Sequence, residues 1–189
     1  MYSGGMKGHH LILGKLADFI TGEMLKDTHD ERYRQKVARL LVETKGYRKA
    51  DVVPRCDLLV TAGDKKQAIV KVDFKVILSG RTAMIIKYGP GSLVTRQRPA
   101  LAASRLLEAY QIPLVVVTNG EDADILIGAT GKVAGSGLQG VPSRSDLHHM
   151  TAKAHFERIS AERAEMESRI LYAFEVDGCC PCDDSVCRL

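Results

Sequence analysis

The sequence predicts an α/β fold in which a central mixed β-sheet is flanked by helices, with extra helices at both ends of the chain. Two observations predict it. Helical spacing of apolar residues up to residue 45 gives way to strand-like alternation from residue 56, and the later segments alternate between the two patterns. A length of 189 residues suits one well-buried domain with appendages and is short for two.

The elements follow in chain order. Helical periodicity predicts helices over residues 11–25, 30–45, 93–110 and 151–174. Alternating or continuous apolar runs predict strands over residues 56–61, 67–76, 82–88, 114–118 and 124–127. Thr28 or Asp30 could cap the second helix, Gly46 could stop it, and Pro99 is expected in the first turn of the third. Residues 128–140 are rich in glycine and predict a loop.

The composition is that of an ordinary globular protein, with 45% hydrophobic and 26% charged residues. No apolar run approaches the roughly 20 residues that cross a bilayer, and the first five residues lack the pattern of a secretory signal. We therefore expect a cytoplasmic protein with no membrane partner.

Positive charge is concentrated in one part of the chain. Residues 45–105 hold 13 Lys and Arg against 4 Asp and Glu, whereas the whole chain carries only +4. A basic segment favours a polyanionic partner such as DNA, because binding releases condensed counterions. A solvated charged surface is the alternative.

A candidate catalytic group lies on two of the predicted strands. Asp73 and Lys75 are two residues apart, so an ideal strand would place them on one face, and Asp57 on the preceding strand could lie beside them. Two carboxylates suit Mg²⁺ or Mn²⁺, and a nearby amine could orient the attacking water in phosphodiester hydrolysis. By spacing alone, an exposed Asp–Lys strand face is the simpler explanation of the pattern.

The order of motifs also resembles a known family, the N-terminal nuclease domain of type I restriction-enzyme R subunits, which has the PD-(D/E)xK motif. The segments that carry the resemblance over residues 30–128 are DERYRQ at 30–35, LLVETKGY at 40–47, RCDLLV at 55–60, VDFK at 72–75, RQ at 96–97, AY at 109–110 and VTNG at 117–120.

The resemblance implies a restriction-endonuclease-like core that cuts DNA with Mg²⁺. It implies that Asp57, Asp73 and Glu31 hold the metal, that Lys75 is the catalytic lysine, and that Gln97 lies near the active site. Glu43 is the alternative to Glu31.

This sequence departs from the family pattern in three respects. Asp73 stands where Glu is commoner, and residues 78–95 lengthen the connection that precedes Gln97. No Walker-type phosphate loop follows, so the resemblance implies a nuclease domain without the motor half and without ATP-driven translocation. A separate motor or specificity subunit is a candidate partner.

Four of the five cysteines lie in the last eleven residues. Cys179, Cys180, Cys182 and Cys187 are enough in number for Zn²⁺ or an iron–sulfur cluster, and a tail with free thiols is the alternative. His29, beside Asp30 and Glu31, could approach the metal, or it could simply begin a helix.

These observations divide the chain into an N-terminal helical extension (1–29), a nuclease-like core (30–128), a glycine-rich loop (129–150), a C-terminal helix (151–175) and a cysteine-rich tail (176–189). The leading hypothesis is a stand-alone Mg²⁺-dependent DNA endonuclease or exonuclease. The alternatives are a non-catalytic nucleic-acid-binding or assembly module with the same fold, and a metalloprotein of the cysteine tail. Self-association into a homo-oligomer is also left open.

Overall fold

The computed structural model describes residues 12–63 and 66–177, and the backbone of 186–188. The strands are β1 (Lys15–Ala17), β2 (Met24–Lys26), β3 (Val52–Thr61), β4 (Gln67–Leu78), β5 (Arg81–Tyr88), β6 (Leu114–Thr118), β7 (Ala123–Ile127), β8 (Val133–Ser136) and β9 (Val186–Arg188). The α-helices are α1 (His29–Arg39), α2 (Leu93–Leu106), α3 (Arg144–Ala152) and α4 (Ala161–Leu171). Short 3-10 turns cover Lys49–Asp51 and Leu138–Gly140, and π-helical turns extend α1 over Leu40–Thr44 and α4 over Tyr172–Asp177.

The main sheet has the strand order β3-β4-β5-β6-β7-β8, and β9 pairs with β4 outside this path. Strands β3, β4 and β5 form an antiparallel meander. Helix α2 then crosses over so that β6 lies parallel to β5, and β7 and β8 follow antiparallel. This mixed sheet between helices confirms the predicted α/β fold and is compatible with a restriction-endonuclease-like core.

The predicted helix over residues 11–25 is wrong, because the chain there forms the small hairpin β1–β2. Gly14 and Gly22 have φ values of +139° and +79°, which a right-handed helix does not allow. The turn between the strands closes on the Asp18 carboxylate, which accepts hydrogen bonds from the backbone N–H groups of Ile20 and Thr21. Local turn chemistry therefore outweighs the helical spacing of apolar residues.

Helix α1 and its π-helical extension confirm the prediction for residues 30–45. The Thr28 hydroxyl accepts a hydrogen bond from the Glu31 N–H at 3.1 Å, so Thr28 is the N-cap. Gly46 follows the extension with φ +74°, as expected for a helix stop. Val37, Ala38 and Leu41 are buried and hold this helix against the sheet.

The sheet separates two hydrophobic clusters. One contains residues of α1 and α3, including Leu41 and Leu147, and the other contains residues of α2 and α4, including Ala102 and Leu171. We call the corresponding faces of the sheet the α1 face and the α2 face.

Strand β4 changes the direction of its apolar side chains at Asp73. Val70 and Val72 belong to the cluster of the α2 face, whereas Phe74 and Val76 belong to that of the α1 face. Perfect alternation would place all four on one face. The side chain of Asp73 therefore lies at an irregular point of the strand.

Three predictions for the second half of the chain are wrong in detail. Pro99 lies in the interior of α2 and not in its first turn. The segment 129–150, predicted as a loop, contains β8, a 3-10 turn and most of α3. The long helix predicted over residues 151–174 is divided into α3 and α4, because Ser143 and Ser160 each cap a helix by accepting a hydrogen bond from an N–H three residues later.

Within the described residues, no helix is long and apolar enough to cross a membrane.

Candidate functional site

The candidate site lies where β5 and β6, a parallel pair, both end. Ligands of open α/β sheets bind outside the carboxyl ends of such strands, where the chain turns away from the sheet. Tyr88 ends β5 and Thr118 ends β6, and the Gly89 N–H donates to the Thr118 carbonyl at 3.0 Å. The N-terminal half of α1 covers this end of the sheet from one side.

Asp73 is the buried acid at this end, with a side chain that is 8% exposed. Its Oδ1 accepts a hydrogen bond from Arg34 Nε at 2.6 Å, and its Oδ2 accepts one from the Tyr88 N–H at 2.8 Å. Both carboxylate oxygens are thus held, one by a side chain of α1 and one by the backbone of β5.

Glu31 approaches the same guanidinium from α1. Its Oε2 lies 3.6 Å from Arg34 Nη1, and the two residues are one helical turn apart. Its Oε1 accepts a hydrogen bond from Gln35 Nε2 at 2.8 Å. Arg34 therefore stands between the carboxylates of Glu31 and Asp73.

The polar network continues to the N-terminal hairpin. Gln35 Nε2 also donates to Asp18 Oδ2 at 3.0 Å, and Arg55 Nη1 donates to the same oxygen at 2.7 Å. Gln35 Oε1 accepts from the Phe19 N–H at 2.6 Å. One chain of contacts therefore connects the hairpin, α1, β3, β4 and β5.

Burial and charge shift the pKa values of groups around Asp73. Burial alone would lower the pKa of Arg34, but the charge of Asp73, its hydrogen bond and the charge of Glu31 outweigh burial and raise it. Burial raises the pKa of the Tyr88 hydroxyl, and the nearby Asp30 carboxylate raises it further. Arg34 therefore stays charged and Tyr88 stays neutral at physiological pH.

The predicted convergence of Asp57, Asp73 and Lys75 is not what the structure has. The Asp57 side chain is 60% exposed and pairs with Lys71 at 3.2 Å. Lys75 lies between two residues that point to the α1 face, so it points to the α2 face, where its Nζ contacts Glu108 at 3.3 Å. Asp73 instead contacts Arg34 of α1, and the irregularity of β4 is what separates it from Lys75.

Gln97 has a partner other than Asp73, and most of the cysteine tail falls outside the described residues. Gln97 Nε2 donates to Asp124 Oδ2 on β7 at 2.8 Å. Cys179, Cys180 and Cys182 lie outside the described residues, as does the side chain of Cys187, whose backbone pairs with Ile69 in the sheet. Their metal-binding role stays a prediction.

The residues present do not fit the expected metal site. The described part of the chain contains no group of three or more His, Cys, Asp and Glu placed to hold a metal ion. Glu31 and Asp73 both contact the Arg34 guanidinium, which lies between them.

Aromatic and basic side chains surround the outer part of this end of the sheet. Tyr33 and Tyr88 stack with ring centroids 6.0 Å apart, and Lys36 Nζ lies 5.6 Å from the Tyr33 ring centroid. Arg96 donates to the Pro90 carbonyl, and Asn119 donates to the Gly91 carbonyl. We call Tyr33, Lys36, Tyr88, Arg96 and Asn119 the β5–β6 mouth.

Much of the positive charge of residues 45–105 is neutralised within the protein. Among the described residues, the pairs with acids from outside this segment are Arg55 with Asp18 and Glu23, Lys75 with Glu108, Lys87 with Glu175, and Arg98 and Arg105 with Glu167. The charge excess in the sequence is therefore only partly a feature of the surface. Arg96 differs, since its guanidinium donates to the backbone carbonyl of Pro90.

Sequence reasoning missed Arg34, Gln35 and Asp18. The first two follow Glu31 by three and four residues, the spacing at which helix side chains meet, so the sequence carried a signal for them. Asp18 carried none, because its contacts depend on a hairpin where a helix was expected.

Comparison with known proteins agrees with the resemblance seen in the motifs. A family model described as the type I restriction enzyme R protein N terminus matches residues 29–142. Neither the curated proteins nor the solved structures contain a significant match.

Proposed function

This chain belongs to the family of the type I restriction enzyme R protein N terminus, and on that premise we propose that it is a nuclease-like domain that binds DNA without cutting it by itself. One observation carries the proposal: Asp73 and Lys75 contact groups on opposite faces of the sheet. The motif that would cut DNA is present in the sequence, but its members are separated.

Phosphodiester hydrolysis requires groups that converge on one phosphate. A metal ion must neutralise charge on the phosphate oxygens, and a base or amine must reach the attacking water within hydrogen-bonding distance. Lys75 is engaged with Glu108 on the α2 face, away from Asp73. Asp57 is exposed, and its contact is with Lys71. Glu31 and Asp73 both contact the Arg34 guanidinium, so these carboxylates are already engaged with a cation of the protein.

The β5–β6 mouth supports DNA binding. Lys36 and Arg96 supply positive charge, and Lys36 lies over the half-buried ring of Tyr33, a combination suited to binding phosphates. Lys36 pairs with Glu121 at 3.2 Å, but both side chains are more than half exposed and such pairs are weak. A phosphate can therefore compete for Lys36.

A second candidate is the Mg²⁺- or Mn²⁺-dependent deoxyribonuclease expected from the sequence. It is favoured by the approach of Glu31 and Asp73 to the same guanidinium, since Mg²⁺ is often held by one or two carboxylates and water. In that case a conformational change, or a motor or specificity subunit, would have to move Arg34 away.

DNA binding is tested by fluorescence anisotropy with labelled single- and double-stranded DNA at several salt concentrations. We expect Lys36→Ala and Arg96→Ala each to weaken binding and to reduce the slope of log K against log salt by about 1. Arg169→Ala is the matched control, because Arg169 is an exposed arginine on α4 that pairs with Glu165. Equal losses in all three variants, or no binding by the wild type, would refute the proposal.

Cleavage is tested by incubating the wild type, Asp73→Ala and Lys75→Ala with both forms of DNA and Mg²⁺ or Mn²⁺. The proposal expects no cleavage by the wild type above the level of Asp73→Ala. Cleavage that is lost in Asp73→Ala but kept in Lys75→Ala would establish the second candidate. Loss of cleavage in both variants would support the catalytic role of Asp73 and Lys75 predicted from the sequence.

A further inference from the structure

We propose that Arg34 is a built-in cation that prevents divalent-metal binding between Glu31 and Asp73, and that its removal creates a metal site there. The inference rests on the proposed function, in which Glu31 and Asp73 lie at the candidate site without a metal ion. Its test uses no DNA, so the two proposals can fail separately.

The position of Arg34 is set by three contacts. Its Nε donates to Asp73 Oδ1 at 2.6 Å, its Nη1 lies 3.6 Å from Glu31 Oε2, and its guanidinium carbon lies 5.1 Å from the Tyr88 ring centroid. A planar guanidinium that bonds a carboxylate and packs on an aromatic ring is held more firmly than an ammonium would be.

A metal ion and Arg34 would compete for the same oxygen atoms. Binding of Mn²⁺ by Asp73 Oδ1 and Glu31 Oε2 would require the guanidinium to leave both. The displaced side chain, now about three-quarters buried, would lose its two counter-charges, which is costly in a low-dielectric environment. The wild type is therefore expected to exclude the ion.

The surroundings suit a hard cation once Arg34 is gone. Glu31 and Asp73 offer carboxylate oxygens, and the Tyr88 N–H holds the second oxygen of Asp73 so that the first keeps its direction. Methionine is the replacement of choice, because its unbranched apolar side chain can pack on the Tyr88 ring without adding charge.

The test measures Mn²⁺ binding by the loss of the free-ion electron paramagnetic resonance signal, together with the change in Tm on adding Mn²⁺. We expect Arg34→Met to bind Mn²⁺ roughly 100-fold or more tightly than the wild type, with a Tm that rises with Mn²⁺. We expect the double variant Arg34→Met with Asp73→Asn to lose both effects.

Arg32→Met is the matched control, because Arg32 lies on the same helix and pairs with Asp27 outside this site. It should behave as the wild type does. If Arg34→Met is unfolded without metal, Mn²⁺ should refold it. Wild-type affinity equal to that of Arg34→Met, or an Arg34→Met protein that Mn²⁺ neither binds nor refolds, would overturn the proposal.

Discussion

Asp18→Asn should destabilise the protein, because Asp18 joins three elements through one buried carboxylate. Its side chain is 1% exposed. It accepts hydrogen bonds from Arg55, from Gln35 and from two backbone N–H groups of its own turn. Asparagine would keep the size of the side chain but lose the charge that pairs with Arg55.

The pKa of Asp18 gives the size of the effect. Burial alone would raise it, but the hydrogen bonds from Arg55, the Thr21 N–H and Gln35 outweigh burial and lower it from 3.8 to about 2. This difference corresponds to about 2 kcal/mol of folding free energy at pH 7. Because the folded pKa is the lower one, the stabilisation is present above pH 3.8 and is lost as the pH falls towards 2, so that roughly 1 kcal/mol is left at pH 3.

The assay is urea unfolding of the wild type and Asp18→Asn at pH 7 and at pH 3. We expect the difference in the free energy of unfolding to fall to about half between the two pH values. Asp27→Asn is the control, because Asp27 pairs with the exposed Arg32 and should cost less. A difference that is the same at both pH values, or a larger loss in Asp27→Asn, would refute the reasoning.

Two further changes test the packing around the site and behind it. Glu167→Gln should lower the free energy of unfolding by about 3 kcal/mol or more in thermal or urea unfolding. The reason is that the Glu167 carboxylate is 1% exposed and lies within 2.8 Å of Arg98, Arg105 and Arg163. Stability within about 0.5 kcal/mol of the wild type would contradict this. Gly120→Ala should lower the free energy of unfolding by more than about 1 kcal/mol and weaken DNA binding. The reason is that Gly120 has φ +87° and a Cβ there would lie 2.2 Å from Tyr33 Cδ1. Unchanged affinity for DNA would show that Tyr33 does not contribute to the β5–β6 mouth.

The parts of the fold that depend on local sequence could be predicted. The cap at Thr28, the stop at Gly46 and the apolar strand that ends at Thr118 each follow from residues within one turn or one strand. The hairpin at Asp18 was missed because its apolar spacing also fits a helix, and one of the contacts that hold the Asp18 carboxylate comes from Arg55, 37 residues away.

The expected grouping of Asp73 with Lys75 differs from the structure for a related reason. The i, i+2 rule placed Asp73 and Lys75 on one face, and that rule holds only for a regular strand. Opposite Asp73, Arg55 has φ +52°, and Arg34 draws the carboxylate towards α1 from 39 residues away. Neither the backbone conformation of Arg55 nor the contact with Arg34 is visible in the spacing of residues along β4.

The anomalous scattering of Mn²⁺ in crystals of the wild-type protein tests the central claim most directly. We expect no peak between Glu31 and Asp73, with the Arg34 guanidinium bonded to Asp73 in the same map. A strong peak bound by both carboxylates, with Arg34 turned away, would contradict the account and identify a metal centre of the nuclease type.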